Sequence, residues 1–298
     1  MPDASPGEVD AGRSRRAFVE ACDLDVLARK PGNVSVASPG HRMHADEFRA
    51  SARAAAIPLC TPSASVGERI EAAVRATHDV VRCNTNLGIV LLCAPLVVAH
   101  ERRAPGQALR DAVGAVLAAL TVADARAAYR AIALANPAGL GSAPDQDIVV
   151  EPTVGLRAAM ALAAGRDRVA RQYAHGFADV FDTGLASFVR ARGLGADPRQ
   201  AMQHAFLAFL ASAPDSHIAR KHGDAAAHSV MAEARPWHER ARLGEPLDAD
   251  PAWAAWDESL KARGLNPGTS ADLCVATALA AAFGARVGVS TQTTRHEI

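Results

Sequence analysis

The chain has 298 residues, and 32 basic side chains balance 32 acidic ones. That balance excludes a nucleic-acid surface or an anionic membrane as the main partner. Hydrophobic residues make up 49 % but aromatics only 4 %, so the core must be built from small aliphatic side chains, which suits Ala- and Leu-rich helices packed closely together. Cys22, Cys60, Cys83, Cys93 and Cys274 are scattered and form no Cys-x-x-Cys pair, a pattern of buried thiols in a reducing compartment. The polar, acidic N-terminus lacks the apolar centre of a signal peptide. The most apolar run, Leu87–Val98, is too short to span a bilayer, so a cytoplasmic protein is expected.

In chain order, residues 1–14 read as a flexible tail. Arg15–Lys30 has helical apolar spacing through Phe18, Cys22, Val26 and Leu27. Residues 31–45 are dense in turn formers and predict a loop, after which Asp46 can cap a helix running to about Cys60. Ser65–Arg82 is helical, with Val66, Ile70, Val74 and Val81 as its inner stripe. Thr85–Glu101 is apolar nearly all round and predicts a central helix. Helices follow over 106–120 and 121–135, the second opening on Thr121 and Asp124 at capping-box spacing. The loop Asn136–Pro152 carries Asp145, Asp147 and Glu151. Helices resume from Val154 to about Ala213, then over 224–234, and a last one runs from Ser270 to Phe283. Segment 236–262 is punctuated by Trp and Pro, and the tail from 289 is polar. No convincing period-2 run is present. The expectation is an all-α fold: one compact multi-helix bundle of roughly ten helices over 15–288, with flexible tails at 1–14 and 289–298.

Four polar islands interrupt this apolar chain. Lys30-Pro-Gly-Asn33, with His41 and His44 after it, sets N–H groups beside a cation, an arrangement suited to a phosphate oxygen. Glu68 and Glu71 share a helical face ahead of Asn84-Thr85-Asn86-Leu87-Gly88; a carboxylate there either meets solvent or enters a cleft to hold Mg²⁺ or a proton. Asp215–Gly223 gathers Asp215, His217, Arg220, Lys221 and His222 within nine residues. Asn266-Pro-Gly-Thr-Ser-Ala-Asp272 feeds a helix, with Thr269 and Ser270 as caps and Thr269/Asp272 at box spacing; free N–H groups at such a start bind phosphate.

In this order, from about Lys30 to Leu279, the islands resemble those of the triphosphoribosyl-dephospho-CoA synthase family. The resemblance implies an all-α enzyme that acts on ATP and 3′-dephospho-CoA. It displaces adenine and joins C1′ of the ATP ribose to a ribose hydroxyl of the coenzyme A precursor, in the biosynthesis of a prosthetic group. It further implies Glu71 and Asp215 as catalytic groups, because an oxocarbenium-like state calls for a carboxylate and the hydroxyl for a base. Lys30, Asn33, His41, Asn84, Asn86, His217, Arg220, Lys221, Asn266, Ser270 and Asp272 become substrate-binding candidates. Glu68, Glu71 and Asp215 become candidates for Mg²⁺, expected with ATP; no organic prosthetic group is expected. The partners are small molecules, without nucleic acid or membrane, and a homodimer is allowed for. Two departures stand out. Asn86-Leu87 replaces the family's His-Lys, and His217 stands where an amide is expected. Two alternatives remain: a non-catalytic nucleotide- or CoA-binding regulator, and an HD-type metal-dependent phosphohydrolase built on His78-Asp79.

Overall fold

The computed structural model describes residues 6–137, 147–148 and 150–284. Fourteen α-helices account for most of this span, and no strand occurs among the described residues. They are α1 (Pro6–Leu27), α2 (Ala45–Leu59), α3 (Val66–Val81), α4 (Leu87–Arg102), α5 (Leu109–Ala118), α6 (Val122–Ala135) and α7 (Leu156–Ala163). The second half comprises α8 (Arg168–Ala174), a π-helical turn (Asp179–Leu185), α9 (Ala186–Gly193), α10 (Pro198–Ser212), α11 (Ser216–His222), α12 (Asp224–Arg242), α13 (Pro251–Ala262) and α14 (Gly268–Ala282).

The all-α expectation holds, with more and shorter helices than the apolar periodicity distinguishes. The expected N-terminal tail is in large part helix: α1 begins at Pro6 and buries Ala11 and Ser14. The helix expected over 224–234 runs on through Pro236 to Arg242. His44, not Asp46, occupies the N-cap of α2. The tail over 289–298 and most of the loop Asn136–Pro152, Asp145 included, lie outside the described residues.

Two helices form the centre. α4 buries Leu87 and every residue from Ile89 to Ala99, and α14 buries nearly all of Thr269–Ala280. A helix apolar on all sides must be surrounded by others. α4 and α14 pack on each other and are enclosed by α1, α3, α5, α10 and the π-turn. One contiguous set of buried apolar side chains runs from Phe18 to Phe283.

Capping chemistry marks several boundaries. Ser65 and Glu68 close a capping box on α3, and Thr121 and Asp124 close another on α6. A buried arginine ties the second half together. Arg168 pairs with Asp179 at 2.8 Å, donates to the Phe209 carbonyl at 2.7 Å and to Ser212 at 3.2 Å, and lies over the Phe209 ring. No single described helix is long and apolar enough to cross a membrane, although the bent pair α5–α6 meets that test by length and composition.

α3 and α6 touch where α3 has Gly67. Its N–H donates to Asp124 Oδ1 at 2.8 Å, and a Cβ at this position would lie 2.4 Å from Asp124 Cα. Backbone cannot yield as a side-chain tip can, so Gly67→Ala must separate the two helices. A loss of about 1–3 kcal/mol is expected, read as a lower denaturation midpoint in urea with the slope unchanged.

Candidate active site

The helix starts of α4 and α14 meet at one cavity of about 770 Å³, within the size range of small-molecule sites. What allows them to meet is Gly88. A Cβ there would lie 2.0 Å from Asp272 Oδ2, so only glycine leaves room for that carboxylate beside the first turn of α4.

The turn Lys30–Asn33 reaches the same place from α1. Gly32 has φ +81° and its N–H donates to Asp257 Oδ1 at 2.9 Å. Asn33 Nδ2 donates to Asn266 Oδ1 at 2.9 Å, joining this turn to the one that opens α14. His41 returns to the Gly32 carbonyl at 2.8 Å. Its imidazole titrates below its ordinary range, chiefly because of burial, with the Gly32 bond opposing. The loop is fixed from behind by α13: Ser38 donates to Glu258, and Lys261 donates to the Ser38 carbonyl at 3.0 Å.

Asn84 Oδ1 accepts from the Leu87 N–H at 3.2 Å, so Asn84 caps α4 from outside the helix. Asn86 is buried at the cavity wall, its amide N–H donating to Thr77 at 3.0 Å. The His217 ring packs against the turn at Gly268, where a Cβ would lie 3.3 Å from Nδ1. Burial lowers its pKa; Asp215 opposes that shift, while Arg220 and Lys221 add to it. Arg220 pairs with Asp167 across the cavity wall. Lys221, Arg82 and Arg166 also line the cavity, and none has an ion-pair partner among the described residues. Leu87, Ile132, Leu134 and Met160 supply an apolar side.

Of the residues expected from the sequence, Asn33, His41, Asn84, Asn86, His217, Arg220, Lys221, Asn266 and Asp272 line this one cavity. Others do not. Lys30 is wholly buried and serves Asp25, donating to its backbone carbonyl and lying 3.1 Å from its Oδ1. Glu71 points away toward α6, where Arg130 donates at 2.9 and 2.6 Å and Arg75 at 3.0 Å. Those bonds, the one from Arg130 first, hold its carboxyl below the usual range. Glu68 is occupied by the capping box with Ser65.

Asp215 is 1 % exposed, and its oxygens are saturated by four protein hydrogen bonds. Oδ1 accepts the His217 and Ile218 N–H groups, and Oδ2 accepts the Ser270 N–H and hydroxyl. It therefore joins α11 to α14 and has no lone pair left for a substrate. Ser270 is its partner and not a helix cap, and the Thr269/Asp272 box does not form. Glu68, Glu71 and Asp215 thus have separate partners, and no group of three or more metal-type ligands occurs among the described residues. The HD-type reading falls with it, since His78 faces the cavity while Asp79 is exposed to solvent.

Sequence reasoning missed Asp25, Asp167, Arg82 and Arg166, all cavity residues. Asp25 had one signal, a carboxylate on the helix just ahead of Lys30-Pro-Gly-Asn33.

Fold and cavity together define an all-α protein with one preformed cavity lined by both cations and carboxyl groups. A profile of the ATP:dephospho-CoA triphosphoribosyl transferase family matches residues 11–290, and the chain belongs to that family. It is a transferase, as the resemblance of the four islands implies. A crystal structure provisionally assigned as a triphosphoribosyl-dephospho-CoA synthase from Archaeoglobus fulgidus has the same fold. The match has a TM-score of 0.61 at 22 % identity, over 80 % of this chain and 99 % of that one. Comparison with curated protein sequences gives no significant match.

If Asp215 is a junction and not a chemical group, Asp215→Ala acts through folding. A stability loss of about 2–4 kcal/mol is expected, from the lost cap and the buried Ser270 donors left unpaired. The measurement is thermal or urea unfolding alongside turnover, which should fall only in proportion to the folded fraction.

Proposed function

We propose that the cavity binds ATP together with 3′-dephospho-CoA or a related nucleotide carrying a free ribose hydroxyl, and that the hydroxyl replaces adenine on C1′ of the ATP ribose. One observation carries this reading: Arg82, Arg166 and Lys221 line a single cavity without acidic partners among the described residues, where two central helices also present their amino ends. Unpaired cations and helix starts together suit a polyphosphate. The apolar side at Leu87, Ile132 and Met160 suits a purine face or a pantetheine arm. Leu87 stands where the resemblance expects lysine, so on this reading the triphosphate is held by Lys221 and Arg166 instead.

Mg²⁺ fits such a site as a companion of the nucleotide. The ion commonly uses one or two carboxylates plus phosphate oxygens. Asp167, whose Oδ1 caps α8 and whose Oδ2 accepts only from Arg220 among the described residues, is the side chain to supply one through that second oxygen. Its contribution would be to neutralise phosphate charge. The described helices, α1 included, work as one catalytic unit, in the cytoplasm. In support, all five cysteines are free and four are buried.

The test incubates the protein with ATP, Mg²⁺ and 3′-dephospho-CoA and follows adenine by chromatography. Adenine appearing in step with a triphosphoribosyl conjugate is the expected result; phosphate without adenine overturns the reading. Lys221→Ala and Arg166→Ala should each raise the KM for ATP by roughly tenfold or more, the worth of one charge-assisted contact. The kcat should change much less, because binding is lost in ground and transition states alike.

A further inference from the structure

Two carboxylates of the cavity take no part in holding phosphate. Asp25, on α1, is 3 % exposed. Its Oδ1 forms an ion pair with the Lys30 ammonium at 3.1 Å but receives no hydrogen bond of proper geometry, since that ammonium donates to the Asp25 backbone carbonyl. Asp272 lies one turn into α14 on the same cavity, wedged against Gly88, and accepts no hydrogen bond among the described residues. A carboxyl oxygen that receives no hydrogen bond from the protein is expected to be served by the ligand or by a proton.

We propose that Asp25 and Asp272 are the acid–base pair of the transfer, Asp272 giving its proton to a ring nitrogen of the departing adenine and Asp25 taking the proton of the acceptor hydroxyl. This rests on the reaction proposed above. The bond between C1′ and adenine breaks with its electron pair going to adenine, which Asp272 protonates. The hydroxyl oxygen forms the new bond to C1′, and its proton passes to Asp25. One proton leaves the pair and one enters, so the pair is restored once the proton moves from Asp25 to Asp272.

The surroundings divide the roles. Burial raises the Asp25 pKa above its ordinary value, and the Lys30 ammonium opposes that shift. Asp272 is pushed well above the carboxylate range by burial first, then by Asp25 and Asp215. Asp167 adds to this and Arg220 opposes it. Both are raised, Asp272 the further, and neighbouring carboxyl groups that titrate apart are a usual mark of a divided acid and base.

The experiment uses the full-length protein and two readouts. Infrared spectroscopy with ¹³C-labelled aspartate should show a carboxylic-acid carbonyl band at neutral pH that D272N removes and that a protein retaining both carboxylates as anions lacks. Adenine release should fall about 100-fold or more in D272N and in D25N, with the KM for ATP little changed and helical circular dichroism intact. Wild-type protein without the band, or D272N within tenfold of wild-type turnover, overturns the pair. Wild-type protein with the band but no adenine release instead overturns the reaction and leaves the shared proton standing.

Discussion

Everything at the site depends on the absence of one side chain. α4 and α14 are each apolar on almost every face, and such helices pack best when nothing polar intervenes. Yet Asp272 projects between their starts, and it fits only because Gly88 has no Cβ to meet its Oδ2. The contact seats the Asp272 carboxyl group against the first turn of α4, where desolvation disfavours its charged form. Packing and electrostatics are here one constraint, since a wider approach would admit water and return Asp272 to ordinary titration.

The polar islands are brought together by a small number of long-range hydrogen bonds. Asn33 to Asn266 spans 233 residues of sequence, and Asp215 to Ser270 spans 55. Gly32 to Asp257 ties the first turn to α13. Buried and charge-assisted bonds of this kind are expensive to leave half made, so each island is fixed against another. The floor of the cavity is thereby tied down both by residues that line it, Asn33 and Asn266, and by others that do not, Asp215, Ser270 and Asp257. Asp215 is the clearest case, a carboxylate beside the site whose four bonds are all internal.

Much of this is legible in the amino-acid sequence. Apolar periodicity finds α3 and α4, and Ser65/Glu68 and Thr121/Asp124 are readable as helix starts because capping is local chemistry. The islands themselves are visible as polar residues with no packing use. Which of their members face inward is not legible. Glu71 borders an apolar stripe, but its direction is settled by Arg130, 59 residues away on another helix. Lys30 reads as a phosphate ligand because Pro-Gly follows it, yet burial turns it toward Asp25 five residues back. Asp25 is lost among several acids on α1, since sequence spacing does not show that a carboxylate is desolvated. Arg168 escapes for the same reason: its partners come from the π-turn and α10.

The cavity's two kinds of charge act on one another. Among the described residues Arg82, Arg166 and Lys221 lie without acidic partners, whereas Asp25 and Asp272 are carboxyl groups whose desolvation disfavours ionisation. A polyphosphate drawn to those cations carries negative charge into the same space and disfavours ionisation of Asp272 further. Retention of a proton and binding of the nucleotide therefore reinforce each other: by linkage, whatever raises the affinity of Asp272 for its proton when substrate binds must raise the affinity for substrate when Asp272 is protonated. An acid prepared in this way is strongest as a proton holder while the polyanion is in place. Its proton is then given up only to a leaving group that becomes more basic than the carboxylate, as adenine does when its bond to C1′ lengthens.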